Sequence, residues 1–178
     1  MKIKVCGITR EEDIAELLLA GVDFIGFNFI KSSPRYIDIN WAVNIINKYN
    51  IQKKAVPLCE ISDLKTVHHK LKNLDLPFYQ IYKVDDSLNQ IEKFNLNYFL
   101  PTSATKLKQN IDNNLFIGNK DKYLLDNFDH GLGGSGIKFN WNDLANIKLD
   151  NCMIAGGIEI KDLNLSLIHI SEPTRHDQ

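Results

Sequence analysis

The sequence predicts an α/β fold of the (β/α)8 barrel type that is incomplete at its C-terminus, and three observations carry this. Apolar runs of strand character alternate with segments of helical periodicity about seven times, at roughly 20–30 residues per unit, which is the pattern of βαβ connections and a parallel sheet. The first run ends on Cys6 and Gly7, and a helix then opens, so a reactive side chain stands at the strand end where α/β proteins carry their sites. An eight-unit barrel and an open doubly wound sheet both fit; no G-x-G-x-x-G follows that run, which counts against the dinucleotide-binding version of the open sheet, and the unit count favours a barrel that is nearly complete.

Taken in order, residues 2–7 are the first strand and 10–20 the first helix. Thr9 and Glu12 have capping-box spacing, so Thr9 is the expected N-cap, and Ile14, Ala15, Leu17, Leu18 and Ala20 supply an apolar face. Residues 23–29 read as the second strand on their aromatic and β-branched content, and Gly26 inside it signals the close approach of another group. After the loop Lys31–Tyr36, Asn40 is the expected cap of a helix whose Ala42, Ile45, Ile46 and Tyr49 share one face. Residues 53–59 make a third strand, although Pro57 is awkward inside it. Ser62 is the expected cap of the next helix, with Leu64, Val67 and Leu71 inward.

Residues 77–82 form the fourth strand. Asp86 or Ser87 begins a helix with Leu88 and Ile91 inward, and 97–100 is a short fifth strand. A helix through Leu107 and Ile111 follows, whereas 114–118 fits strand or loop. Residues 122–126 are a strand ending in an acid, and the glycine-rich segment 131–136 comes next. A short helix is expected around Trp141 and Leu144, then a seventh strand over 151–155, closed by Gly156 and Gly157.

The 178 residues suggest one domain, and a hydrophobic content of 44% is ordinary for a globular fold. A net charge of −1 gives no electrostatic case for nucleic acid or an anionic membrane. No apolar run approaches the roughly 18 residues of a membrane span, and the N-terminus has no signal-peptide pattern. Cys6, Cys59 and Cys152 are widely spaced and odd in number, which argues against a disulfide framework or a zinc motif and fits a reducing cytoplasm.

Four features could carry chemistry. Cys6, beside Gly7 and close to a helix N-terminus, is placed so that a negative sulfur is favoured; the plainer reading is a small buried hydrophobe, which is also the reading of Cys59 and Cys152. Asp126 ends the apolar run Tyr123-Leu124-Leu125 and is either a turn aspartate or a general acid kept protonated by apolar surroundings, with Asp129 as competitor. The glycines of 131–136 are either a surface turn or a cradle of backbone N–H groups for an anion; Gly156 and Gly157, after the next strand, add a second such turn where barrels often bind phosphate. Arg35, between Pro34 and Tyr36, is either a solvated cation or a fork for a carboxylate. The five histidines show no metal spacing, and His68 and His69 are expected on a helix surface in solvent.

With these residues in view, the segments KVCGITREED, DFIGFNFIKSSPRYI, YLLDN, GGSGIKFNW and IAGGI, in this order, resemble the phosphoribosylanthranilate isomerase family of tryptophan biosynthesis. The resemblance covers most of 2–47 and 122–160. It implies a TIM barrel that converts N-(5′-phosphoribosyl)anthranilate to 1-(2-carboxyphenylamino)-1-deoxyribulose 5-phosphate by an Amadori rearrangement, with no metal or organic cofactor. It implies that Cys6 is the base and Asp126 the acid, that Arg35 meets the anthranilate carboxylate, and that Gly133, Gly134, Gly156 and Gly157 lend backbone to the phosphate site.

Two departures stand out. Gln80-Ile81-Tyr82-Lys83 lies where the family usually has Gln-Leu-His-Gly, so a histidine and a glycine are replaced. Residues 165–178 do not continue the strand–helix pattern, so a barrel domain over 1–164 with a non-matching tail is expected, and with it an interrupted barrel of weak activity. Two other functions remain open: another phosphosugar barrel enzyme, which would need a lysine acid at a strand end, where Lys2 and Lys4 precede Cys6 but no other lysine sits in a comparable motif, and a non-catalytic remnant that binds a phosphosugar or a partner protein. Oligomeric state is not legible.

Overall fold

The computed structural model of the chain describes residues 2–83, 91–103, 105–107, 109, 123–126 and 152–155. The chain divides into two compact units, residues 2–100 and 101–178.

In the first unit, β1 (Lys4–Cys6), β2 (Phe24–Asn28), β3 (Ala55–Glu60), β4 (Tyr79–Tyr82) and β5 (Tyr98–Thr102, whose last two residues belong to the second unit) alternate with α1 (Glu11–Leu19), α2 (Ile39–Tyr49) and α3 (Leu64–Leu71). Each strand pairs in parallel with the next in the chain: Cys6 with Gly26, Asn28 with Leu58, Leu58 with Gln80, and Gln80 with Phe99. Parallel pairing between consecutive strands requires a crossover each time, which the intervening helices supply between the early strands. Pro57 fits inside β3 because the β3–β4 register begins at Leu58, so the missing N–H is not needed by a ladder bond there. The expected fifth strand runs on through Pro101 to Thr102.

Alternation along the strands separates two faces. Ile25, Phe27, Ala55, Cys59, Tyr79, Ile81 and Tyr98 pack with Ile14, Ala42, Ile45, Ile46, Leu64, Val67 and Leu71 of the helices in one buried cluster. Burial pushes the Cys59 thiol up to about 12, so it is a core residue, as the sequence indicated. The opposite face carries Lys4 and Cys6, Phe24, Gly26 and Asn28, and Gln80 and Tyr82. Toward the strand starts it is filled by aromatic rings: Phe78 lies edge-on to Phe24 at 5.0 Å and to Phe99 at 4.8 Å, and the Lys2 ammonium sits 5.6 Å above Phe24.

The helix starts differ from expectation. Thr9 does not cap α1; Arg10 is the N-cap, without a side-chain cap bond, and its guanidinium pairs instead with Asp13. Glu11, Glu12 and Asp13 put negative charge against the free N–H groups of the first turn. Asn40 does not cap α2; the Asp38 carboxylate accepts from Asn40 N at 2.8 Å and Trp41 N at 3.1 Å. Ser62 lies inside a 3-10 turn over Ile61–Asp63 rather than capping α3, whose N-cap Asp63 makes no side-chain cap bond. Because α2 alone among the described helices has a carboxylate accepting from its orphan N–H groups, Asp38→Ala is expected to cost about 1 kcal/mol, read as a lower urea midpoint at unchanged slope.

His68 is also corrected. Its ring is half-buried, edge-on to Phe94 at 5.2 Å and 6.2 Å from Tyr79, and its Nδ1 is buried without a partner; His69 is exposed. Burial first, then the charges of Lys72 and His69, hold His68 below its ordinary value of 6.5. The unfolded chain therefore takes up a proton that the folded ring resists. The stability this neutral ring contributes is complete above about pH 6.5 and is lost as the pH falls below it. Urea melts at about pH 7.5 and 5.5 should show a drop that His68→Phe reduces; an equal drop in both proteins would refute the assignment.

In the second unit, β6 (Tyr123–Leu125) pairs in parallel with β7 (Cys152–Ile154), Tyr123 opposite Cys152 and Leu125 opposite Ile154. Within this unit the Asp126 N–H donates to Thr102 O at 3.1 Å, and the Ala155 N–H to Leu125 O at 2.7 Å. Leu107 is buried in a short helical segment, as expected. The expected helix start at Asp86 or Ser87, Ile111, the segment 114–118, the helix around Trp141 and residues 165–178 lie outside the described residues.

Candidate active site

The C-terminal end of β1 is built around a glycine on the neighbouring strand. Cys6 and Gly26 are register partners, and a Cβ on Gly26 would fall on Cys6 Sγ and stand 3.1 Å from both Cys6 Cα and Leu58 Cδ1. The group whose close approach Gly26 signals is thus the Cys6 sulfur. Cys6 itself is half-buried and free. Gly7 follows with φ +77°, a left-handed turn that glycine adopts without strain, and its N–H donates to Gly26 O at 3.1 Å.

That turn leaves room for Arg35. A Cβ at Gly7 would lie 2.5 Å from Arg35 Cδ and 3.2 Å from Nη1, so the arginine stem crosses directly above the residue after Cys6. Arg35 reaches this position through Asn28, which the sequence did not single out. Buried at the end of β2, Asn28 donates from Nδ2 to Ser33 Oγ at 2.9 Å and accepts from Ile30 N at 2.9 Å. Ser33 Oγ in turn accepts from Arg35 N at 3.2 Å, and Asn28 O accepts from Ile37 N at 2.9 Å. The loop 31–36 is therefore a folded turn pinned at both ends. The available signal was phase: Asn28 is two residues beyond Gly26 and shares its face.

Lys4 entered the sequence reading only as a lysine that precedes Cys6 in the first strand. Two residues before Cys6 on the same face, it is half-buried, and its ammonium donates a hydrogen bond to Cys6 Sγ. The end of β4 carries the departure seen in the sequence. Gln80 is buried and its amide nitrogen donates to the Tyr82 hydroxyl. Lys83 takes φ +54°, the left-handed conformation that a glycine would adopt freely at this position, and its ammonium pairs with Glu60 Oε1 at 2.7 Å. The histidine-to-tyrosine and glycine-to-lysine exchanges therefore keep a polar group and the backbone turn.

In the second unit, Asp126 is buried at the C-terminal end of β6, beside Thr102, which is also buried. Buried polar side chains among the described residues are few — Asn28, Gln80, Thr102 and Asp126 — and each sits on or next to a strand. Gly133, Gly134, Gly156, Gly157 and Asp129 lie outside the described residues. Among the described residues, no group of three or more His, Cys, Asp or Glu side chains could hold a metal ion, and no helix is long and apolar enough to cross a membrane.

A family model described as "N-(5'phosphoribosyl)anthranilate (PRA) isomerase" matches residues 3–170. The chain belongs to this family. For the PRA isomerase family the match spans the middle of the chain, which the sequence motifs left uncovered. One relative, the tryptophan biosynthesis protein TrpCF of Buchnera aphidicola subsp. Baizongia pistaciae, is 36% identical over 170 residues, covering 92% of this chain and 34% of that protein. The chain thus spans about a third of the length of the TrpCF relatives it matches. The crystal structure of phosphoribosyl anthranilate isomerase from Thermotoga maritima superposes with a TM-score of 0.74 at 19% identity, covering 96% of this chain and 83% of that one. A second structure, TM-score 0.70 at 16% identity over 96% and 82% of the two chains, is a phosphoribosyl anthranilate isomerase in complex with reduced 1-(o-carboxyphenylamino)-1-deoxyribulose 5-phosphate. The fold is the TIM-barrel type that the strand–helix count predicted.

Proposed function

We propose that this chain isomerises N-(5′-phosphoribosyl)anthranilate to 1-(2-carboxyphenylamino)-1-deoxyribulose 5-phosphate. The observation that carries the reading is the arrangement at the end of β1, in a member of the PRA isomerase family: a half-buried cysteine with a guanidinium laid across the next residue. The relative that holds a reduced carboxyphenylamino-deoxyribulose phosphate supports the substrate class.

In this reading Asp126 gives its proton to the ribose ring oxygen. The C1′–O bond breaks and the anilino nitrogen forms an iminium at C1′. Cys6 thiolate then removes the C2′ hydrogen, forming S–H, and the C–H electron pair neutralises the iminium. The resulting enolamine tautomerises to the ketone. In that last step C1′ takes up a proton and the C2′ hydroxyl loses one, and exchange with water returns the proton of Cys6 to solvent and re-protonates Asp126, so one acid and one base balance over a turnover. Arg35 forks onto the anthranilate carboxylate, and Gly133, Gly134, Gly156 and Gly157 offer backbone N–H groups to the phosphate, so both ends of the substrate orient the reacting carbons. The chemistry belongs to a biosynthetic enzyme of the cytoplasm. The test is turnover: substrate generated in situ should lose its fluorescence in the presence of the folded chain. A folded chain that binds the reduced product analogue without turning over substrate would favour the binding remnant instead.

A further inference from the structure

Resting on the reading of Cys6 as the base, we propose that Lys4 is its positioning residue: the Lys4 ammonium lies against the Cys6 sulfur, pairs with the charge it carries as a base, and fixes its aim. Three observations carry this. Lys4 and Cys6 alternate on β1 and so share the face opposite the helices, where the ammonium donates to Sγ. Lys4 is half-buried, and among the described residues it enters no ion pair with a carboxylate, so the sulfur is the group placed to balance its charge. Gly26 closes the other side: with no Cβ there, the sulfur packs directly on the β2 backbone between that strand and the ammonium.

A hydrogen bond from a cation strengthens when its acceptor becomes negative. The contact is therefore tightest when the sulfur is negative, and the negative sulfur is the reactive form of a cysteine. During the reaction Lys4 keeps its three protons. The C2′ proton goes to sulfur, the C–H pair goes to the iminium, and the ammonium holds Sγ in line before and after transfer. Lys2, the next residue on the same face, is turned to the Phe24 ring and leaves the sulfur to Lys4.

The test is peptide-resolved alkylation of Cys6 by iodoacetamide at about pH 7.5, which needs no substrate and stands apart from turnover. Lys4→Met and Lys4→Gln should each slow Cys6 labelling at least about tenfold, while Lys4→Arg, which keeps the charge, should stay within about threefold of the parent. Cys59, buried in the core, reports folding by remaining unlabelled. A neutral variant that labels Cys6 at the parent rate with Cys59 protected would overturn the proposal, as would Lys4→Arg behaving like Lys4→Met. In an active parent, the neutral variants should lower kcat with KM nearly unchanged; an inactive parent with the labelling pattern intact would fault the isomerase reading and leave the Lys4–Cys6 pairing standing.

Discussion

Asp126→Asn and Cys6→Ser should each reduce turnover by roughly 10²–10⁴-fold, the range expected when one positioned acid or base is removed. Both changes are chosen to spare the fold. Asparagine matches the buried carboxylate in size and leaves the N–H bond from residue 126 to Thr102 O in place, yet its amide cannot give up a proton to the ring oxygen. Serine keeps the small side chain that fits against Gly26, but a hydroxyl supplies no anionic base of the kind a thiolate provides. Loss should fall on kcat rather than KM, because neither group is assigned to the carboxylate or phosphate ends of the substrate. Circular dichroism melts should stay within a few degrees of the parent. Either variant retaining activity within threefold, while folded, would remove that residue from the mechanism.

Several features were legible because they depend on local pattern alone. The positions Ala42, Ile45 and Ile46 came out buried on α2 as the periodicity required, and the strands among the described residues appeared within a few residues of their expected limits. Helix starts were not, because several residues compete for each and tertiary contacts choose. Ile37 is buried with its N–H tied to Asn28 O, which delivers Asp38, not Asn40, to the free N–H groups of α2. At α1 the Thr9–Glu12 spacing suggested a cap that does not form, because the helix begins one residue later at Glu11, with Arg10 at the N-cap and engaged by Asp13. His68 looked like surface because it stands in a polar run; the partners that bury it, Tyr79 and Phe94, are distant in sequence. The site split the same way. Cys6, Asp126 and Arg35 are marked by their place at strand ends and loops, whereas Lys4 and Asn28 are polar residues within strands, whose part shows only when Cys6 and Ser33 are seen as their hydrogen-bond partners.

Gly26 joins both kinds of evidence, and its replacement is expected to be costly twice over. In Gly26→Ala the new methyl meets two neighbours of different compliance. Leu58 Cδ1, at 3.1 Å, is the end of a flexible side chain and can turn away. Cys6 is different: its Sγ lies where the methyl would be, and its Cα, at 3.1 Å, is backbone in a strand registered to β2 at Lys4, Val5 and Cys6. The sulfur must swing aside, away from the Lys4 ammonium, or β1 must part from β2. Overpacking of this sort costs about 1–3 kcal/mol, which should appear as a lower urea midpoint, with turnover falling at least about tenfold as the sulfur is displaced. A double-mutant cycle separates the causes. Adding Cys6→Ala removes the sulfur but leaves the β1 backbone pressed against the new methyl, so the Gly26→Ala penalty should shrink without vanishing, a non-additive result between touching residues. Strict additivity would mean that the methyl is accommodated without disturbing the sulfur, and the idea that Gly26 exists to seat Cys6 would fail.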